Sequence, residues 1–173
     1  MNLKRALPVM MLPVLLAGCG LRPLYGGGST SPVATTLAAV EVAPISGNQA
    51  GWLVRNALND RLHHGSVPAR YRLEVELDDQ ITGLGIATNN AITRERRILR
   101  ARYRLVDVAN GGVVLDQTAS ADAGIDVAAS EYATVAAEQT TLERLTEMLS
   151  DEIVARIATY ARRAADKTAP TQP

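Results

Sequence analysis

Alternation of apolar and charged residues in two neighbouring segments is the feature that most constrains the fold of this chain. Between Tyr71 and Ile81, and again between Arg94 and Leu105, apolar residues occupy most odd positions and charged residues most even positions. Successive side chains of a β-strand point to opposite faces, so the pattern predicts two strands of a sheet covered on one face. The predicted inward residues are Tyr71, Leu73, Val75, Leu77 and Ile81, followed by Leu99, Ala101, Tyr103 and Leu105.

A first covering helix is predicted over residues 48–64. Its apolar residues recur at helical spacing: Val54, Ala57, Leu58 and Leu62. Such spacing is typical of a helix that packs one face on a core. Ser46 or Asn48 stands where a side chain can cap the start, and Gly65 follows the end.

A second, long helix is predicted from Ser130 to about Ala165. Its apolar stripe consists of Val135, Leu142, Leu145, Leu149, Ile153, Ile157 and Tyr160. Glu131 near its start and Arg162 and Arg163 near its end complement the helix dipole.

Two further strands complete the predicted sheet. The short apolar run in residues 37–45 predicts one, and residues 113–121 predict the other. Asn110-Gly111 predicts a tight hairpin before the second, because Asn and Gly accept the positive φ of such turns. The apolar parity shifts between Leu105 and Val106, which indicates a bulge.

The element order therefore predicts an α+β two-layer sandwich. A four-stranded, mostly antiparallel sheet carries two helices packed on one face and leaves the other face polar. Removal of residues 1–18 would leave 155 of the 173 residues, the length of one ordinary domain. A chain of this size buries roughly 68–70% of its unfolded surface and needs no disulfide.

Residues 1–18 have the composition of a secretory signal peptide. Lys4 and Arg5 precede an apolar run that ends at Leu16, and two small residues follow before Cys19, the only cysteine. The run is shorter than the roughly 20 residues that span a bilayer. A buried structural cysteine is the alternative interpretation of Cys19.

The segment before Cys19 resembles the lipobox of bacterial lipoproteins. The resemblance implies cleavage before Cys19 and acylation of its thiol and new N-terminus, which would anchor the chain in a membrane. Gly20, where many inner-membrane lipoproteins have Asp, implies the outer membrane as destination.

The predicted domain limits follow from this anchor. Residues 1–18 form the signal peptide, and residues 19–36, rich in Gly, Ser, Thr and Pro, form the lipidated N-terminus and a flexible tether. The sandwich domain extends over residues 37–165, and residues 166–173 form a disordered tail.

Arginines cluster on one predicted strand. Of the 18 basic residues 16 are Arg, and six lie close together: Arg94, Arg96, Arg97, Arg100, Arg102 and Arg104. The five at even positions project from one face, whereas Arg97 points to the other. Because like charges so close repel one another, an anion is expected beside them.

Two sources of that anion remain open. Glu74, Glu76 and Asp78 on the neighbouring strand could form cross-strand pairs. Alternatively, the six arginines contact an anionic ligand or partner, since guanidinium forks suit phosphate and carboxylate. Three carboxylates do not neutralise five arginines, and the excess is expected near Arg94 and Arg96.

No motif for chemistry accompanies these features. The chain has no nucleophile elbow, phosphate-binding glycine loop or zinc-protease motif. His63 and His64 are adjacent and diverge, which favours helix-end residues over a metal site. No catalytic residue, cofactor or metal is expected, so the chain is predicted not to be an enzyme. Nucleic acid is excluded as a partner, because an aromatic base-stacking platform is missing.

Three segments resemble lipopolysaccharide (LPS)-assembly lipoproteins, the LptE-like family, of alphaproteobacteria. They are "CGLRPLYG" (19–26), "AITRERRILRARYRLVD" (91–107) and the following "GGVVLD". Leu21 replaces the more frequent aromatic residue of the first motif. The predicted order of strands and helices is also that of the family.

The resemblance implies a lipoprotein on the periplasmic side of the outer membrane. Family members plug the large β-barrel LPS transporter, help it to assemble and assist LPS delivery to the outer leaflet. The implied partners are therefore this barrel, LPS and the membrane, the last through acyl chains on Cys19. The arginine cluster would contact LPS or the barrel. The alternative function is an envelope lipoprotein binding module, or an auxiliary subunit of another envelope transporter, unrelated to LPS.

Overall fold

A four-stranded sheet and three helices make up the computed structural model, which describes residues 30–62, 67–86, 92–127 and 130–168. The elements in chain order are α1 (Pro32–Ala38), β1 (Val40–Val42), α2 (Asn48–Arg61), β2 (Tyr71–Ile86), β3 (Ile92–Asp107), β4 (Val113–Asp126) and α3 (Glu131–Thr168). The strand order is β1-β2-β3-β4, with β1 parallel to β2 and the other pairs antiparallel. The predicted α+β class and mostly antiparallel sheet are confirmed, although the sheet is mixed.

The prediction of two helices on one face is wrong, because α1 adds a third. Its residues 32–36 fall in the segment that the composition assigned to the tether. The Ser31 hydroxyl accepts from the Ala34 N–H at 3.1 Å, and Pro32 fits the first turn. Val33 and Leu37 are buried, and α1 packs against α3 rather than on the sheet.

Near the centre of the sheet, the odd-numbered residues of β2 and β3 point toward the helices, as predicted. Leu73, Leu99, Ala101, Tyr103 and Leu105 are fully buried beneath the helices. Burial of each large side chain contributes roughly 1.5–3 kcal/mol. The alternation of apolar and charged residues therefore determines which face of β2 and β3 packs into the core.

Both apolar stripes extend beyond the covered area. Ile81 on β2 is 43% exposed and Val135 on α3 is 56% exposed, whereas Leu142, Leu145 and Leu149 are buried. The core is thus centred on the middle of α3. Within the described ranges, no helix combines the length and hydropathy needed to cross a bilayer.

The hairpin and the bulge are confirmed, but the predicted helix cap is not. Gly111 has φ 70°, its N–H donates to the Asp107 carbonyl at 2.8 Å, and the register shifts between Leu105 and Val106. At the start of α2 the cap residue is Gly47, with no side-chain hydrogen bond. The predicted cap Gly65 lies outside the described residues.

Candidate functional site

The sheet face opposite the helices carries five arginines of β3. Even-numbered residues point outward because their odd-numbered neighbours, such as Leu99 and Tyr103, are buried beneath the helices. The outward arginines are Arg94, Arg96, Arg100, Arg102 and Arg104. We call the outward residues of β2, β3 and β4 the charged face, and it brings together five of the six arginines that the sequence singled out.

Four of these arginines form ion pairs with neighbouring strands. Three pair with β4: Arg94 Nε lies 3.0 Å from Asp126 Oδ1, Arg96 Nη2 lies 2.9 Å from Asp122 Oδ2, and Arg102 Nη2 lies 2.9 Å from Asp116 Oδ2. Arg104 Nη2 lies 3.1 Å from Glu74 Oε2 and 4.0 Å from Glu76 Oε1. Most of the pairing therefore involves β4 and not, as the sequence suggested, β2.

The expected excess of positive charge at Arg94 and Arg96 is wrong. Three aspartates of β4 join the three acidic residues of β2, and Arg72 of β2 joins the five arginines of β3, so six carboxylates face six arginines. Asp122 and Asp126 pair with Arg96 and Arg94 themselves. The charged face therefore has a net charge close to zero. Its arginines alternate with carboxylates of the neighbouring strands and do not form a cationic patch.

The aspartates of β4 belong to the candidate site, although the predictions from the sequence did not include them. A signal for them exists, because Asp116, Asp122 and Asp126 all occupy even positions of a single strand. Because the alternation of apolar residues shifts at the bulge, the sequence did not determine which residues of β4 point outward. Only the observed register, in which Arg94 lies opposite Asp126, shows that these carboxylates share a face with the arginines.

Arg100 is the exception on the charged face. It lies in register between Asp78 on β2 and Ser120 on β4 and is exposed. Within the part of the chain that the structure describes, it forms no ion pair. The Asp78 carboxylate instead accepts the Gln80 amide at 3.1 and 3.2 Å. Arg100 therefore presents a guanidinium to solvent near the middle of the strand.

Arg97 does not belong to this surface. It projects to the helix side, where Nη2 lies 2.6 Å from Asp79 Oδ2 and Nη1 donates to the Glu138 carbonyl at 3.0 Å. Its side chain is only 11% exposed. Arg97 thus joins β3 to both β2 and α3, which gives it a structural position.

The ion pairs of the charged face are weak individually. The hydrogen bond from Arg102 holds the pKa of the Asp116 carboxyl below its usual range and raises the pKa of Arg102. Exposed pairs of this kind contribute little to stability individually, because water and salt screen them. An external phosphate or carboxylate could therefore replace an internal partner at modest cost.

Other residues singled out from the sequence lie elsewhere. Cys19, His63 and His64 fall outside the described residues, so their predicted roles stay predictions. Over the described ranges, no group of three His, Cys, Asp or Glu side chains is arranged to hold a metal ion. The charged face is accordingly the candidate site.

The chain is similar to one protein family in sequence and to several lipoproteins in fold. The sequence model of the family LptE, lipopolysaccharide-assembly, matches residues 37–157. Among curated proteins, no sequence is significantly similar.

Several solved structures share the fold. The crystal structure of a Caulobacter crescentus CB15 protein described as a lipoprotein has a TM-score of 0.65 and 28% identity, and the match covers 80% of this chain and 100% of that one. Lipoprotein B of Nitrosomonas europaea has a TM-score of 0.56 and 12% identity, covering 75% and 87%. A minor lipoprotein of Acinetobacter baumannii has a TM-score of 0.54 and 15% identity, covering 79% and 98%.

Proposed function

Because the chain belongs to the LptE family of lipopolysaccharide-assembly proteins, we propose that it plugs and helps assemble the outer-membrane β-barrel that delivers LPS to the outer leaflet. Membership of the family gives it a general role in LPS assembly. The observation that carries the proposal is the family match over residues 37–157, which includes every strand of the sheet. The lipoprotein fold it shares with the Caulobacter protein supports an envelope location.

The proposed anchor is the acylated Cys19 on the periplasmic side of the outer membrane. Each buried CH₂ contributes about 0.8 kcal/mol, and stable attachment needs two or more chains. The three acyl chains usual in bacterial lipoproteins would make release slow. The folded domain would then stay at the membrane while its surfaces contact the barrel.

Affinity purification from outer membranes tests the barrel partnership. The tagged, lipidated protein is extracted in mild detergent and its partners are identified by mass spectrometry. A single large barrel in equimolar amount supports the proposal. Recovery alone, or with an inner-membrane transporter, contradicts it and favours an auxiliary subunit of another system. A Cys19→Ser variant, which cannot be acylated, should be lost from the outer-membrane fraction.

The charged face is the proposed surface for LPS or barrel contact. LPS carries phosphates, and guanidinium groups bind phosphate through charge-assisted hydrogen bonds. Arg100 is the leading candidate because, among the described residues, it forms no ion pair with its cross-strand neighbour Asp78 or with any other carboxylate. Arg94, Arg96, Arg102 and Arg104 are secondary candidates, since each would exchange an aspartate or glutamate for the ligand.

A substitution at Arg100 tests the LPS contact. Hydrogen bonds to charged groups contribute about 1.5–3 kcal/mol, so Arg100→Gln should weaken LPS binding by roughly tenfold or more. The matched control is Arg55→Gln, which removes an exposed arginine from α2 on the opposite layer. Equal LPS affinity of the two folded variants in a detergent titration would contradict direct contact through Arg100.

A further inference from the structure

One edge of β2 lacks a neighbouring strand over most of its length. β2 extends from Tyr71 to Ile86, but β1 pairs with it only as far as Leu73. On its other side β2 pairs with β3 along its full length. Among the residues that the structure describes, residues 74–86 of β2 therefore have no strand on the β1 side. We call this segment the open edge.

Odd-numbered residues direct their backbone groups toward the open edge. The Ala43 N–H donates to the Leu73 carbonyl at 2.9 Å, so the backbone groups of Leu73 face β1. Alternate residues of a strand direct their N–H and C=O groups to the same side. Those of Val75, Leu77 and Ile81 consequently face the open edge, and such a row is a template for an added strand.

A groove lies beside the first residues of this row. A groove of about 410 Å³ lies along Val75–Leu77 and is bounded by the turn that leaves β1 at Pro44, Ser46 and Gly47. On the helix side, a second hollow of about 370 Å³ lies between Leu77 and the first residues of α2. The turn thus leaves the open edge uncovered at its beginning.

Acidic side chains follow the open edge on the charged face. The Glu76 side chain is 71% exposed, and its ion-pair contact with Arg104 is long, at 4.0 Å. The carboxylate of Asp78 accepts only the amide of Gln80 among the described side chains. Arg72, opposite Glu41 of β1, pairs with Glu74 at 2.9 Å, so the weakly paired acidic stretch of β2 begins at Glu76. The carboxylates of Glu76 and Asp78, unlike the aspartates of β4, have weak internal partners.

We propose that the open edge of β2 binds an extended segment of a partner protein with Lys or Arg at every second residue. The segment adds as a fifth strand: its backbone pairs with Val75, Leu77 and Ile81, and its cationic side chains lie beside Glu76 and Asp78. Backbone pairing supplies affinity and alternate side chains supply specificity in this binding mode. The inference does not depend on the proposed barrel partnership.

Charge complementarity selects this occupant over a second copy of the chain. Two open edges brought together would place acidic rows side by side, and like charges across strands are destabilising. The outer edge of β4 is a poorer candidate for a basic segment, because Asp116, Asp122 and Asp126 already pair with arginines of β3. The acidic row thus prevents self-pairing and favours a basic strand.

A designed peptide tests the inference on the full-length lipidated protein in mild detergent. The probe is a peptide of about six residues in which Lys alternates with Thr, a typical strand length. Its control has the same composition with all lysines consecutive. The alternating peptide should bind at least several-fold more tightly by fluorescence anisotropy. The double variant Glu76→Gln/Asp78→Asn should weaken binding by about two- to tenfold, as expected for two exposed ion pairs. The matched control Asp122→Asn/Asp126→Asn should weaken it less.

Hydrogen exchange distinguishes strand addition from nonspecific attraction. Peptide binding should slow exchange of the Val75, Leu77 and Ile81 amides. Binding without this protection, or equal binding of the two peptides, overturns the inference. Protection that is already present without peptide also overturns it. In that case, dependence on protein concentration identifies a second copy as the occupant, and independence identifies another segment of this chain.

Discussion

At the scale of single residues, Ser150 is an unfavourable side chain in the core. It is fully buried in α3, and its hydroxyl has no hydrogen-bond partner in the described structure. By contrast, the hydroxyls of Thr140 and Thr159 on the same helix donate to carbonyls of the preceding turn at 2.9 and 2.8 Å. An unsatisfied buried hydroxyl costs roughly 1–3 kcal/mol.

We therefore expect Ser150→Ala to stabilise the protein. The substitution removes the unsatisfied hydroxyl and raises helix propensity, so the free energy of unfolding should increase by about 1 kcal/mol. Urea unfolding monitored by circular dichroism measures the change. Ser120→Ala, at an exposed strand position, is the control and should change stability by less than about 0.5 kcal/mol. A destabilised Ser150→Ala protein would mean that the hydroxyl has a partner after all.

Tyr103 should make the protein less stable at high pH. Burial raises the pKa of Tyr103 to about 12, and its hydroxyl donates to Gln117 Oε1 at 3.2 Å. The pKa in the unfolded chain is about 10, so the folded state favours the neutral phenol. That stabilisation is fully present below pH 10 and is lost as the pH rises toward 12.

Tyr103→Phe isolates this contribution. The free energy of unfolding of the variant should decline less steeply between about pH 10 and 12 than that of the wild type. Some decline should remain, because burial also raises the pKa of Tyr160. Tyr132→Phe, at an 89% exposed position, should leave the wild-type slope unchanged. Identical slopes for all three proteins would rule out a buried phenol at Tyr103.

At the scale of elements, α2 depends on a glycine for its close approach to the preceding turn. A Cβ on Gly51 would lie 2.8 Å from the carbonyl oxygens of both Ile45 and Ser46. These are backbone atoms, so the turn itself would have to move. The start of α2 is thereby packed against the segment that connects it to β1.

Gly51→Ala should destabilise the protein although alanine is the better helix former. The propensity gain is about 1 kcal/mol, whereas overpacking costs typically 1–3 kcal/mol. We expect a net loss of roughly 1 kcal/mol in urea unfolding. Asn56→Ala in the same helix gains propensity without this contact and should be neutral or stabilising. A stabilised Gly51→Ala protein would show that the turn relaxes easily.

Long periodic elements were predictable from the sequence, and short or irregular ones were not. The alternation in β2 and β3 and the stripe of α3 each repeat over many residues, so a single exception does not hide them. α1 has only seven residues, two of them threonines, and is stabilised by packing against α3. Its helical form depends on a tertiary contact that no local pattern records.

The candidate site was predictable only in part for the same reason. The alternation of side chains along a β-strand predicts that five arginines share one face, and this prediction needs no information on neighbouring strands. The five are Arg94, Arg96, Arg100, Arg102 and Arg104. Their partners depend on the register between strands. The bulge at Leu105 set the register of β4, and only that register brings Asp122 beside Arg96.

At the scale of the whole molecule, the two sheet faces make different contributions. The helix-covered face contains the buried residues and the partly buried Arg97–Asp79 pair. The charged face consists of exposed pairs that contribute little stability individually. Substitutions on the charged face should therefore change binding and leave the protein folded. Substitutions at Arg97 should lower stability and have little direct effect on binding.

Arginine-to-glutamine substitutions on the two faces test this division. Arg97→Gln leaves Asp79 without its partner and removes the bond to the Glu138 carbonyl, so we expect a loss of about 1–3 kcal/mol. Arg94→Gln and Arg102→Gln break exposed pairs and should each destabilise the protein clearly less than Arg97→Gln does. Urea unfolding at low and high salt measures both effects. High salt should reduce the losses at Arg94 and Arg102 and change the loss at Arg97 little, because the Arg97 guanidinium is shielded from ions. Equal losses at Arg97 and Arg94 would mean that the charged face also contributes to folding, and binding defects of its variants could no longer be interpreted separately from stability.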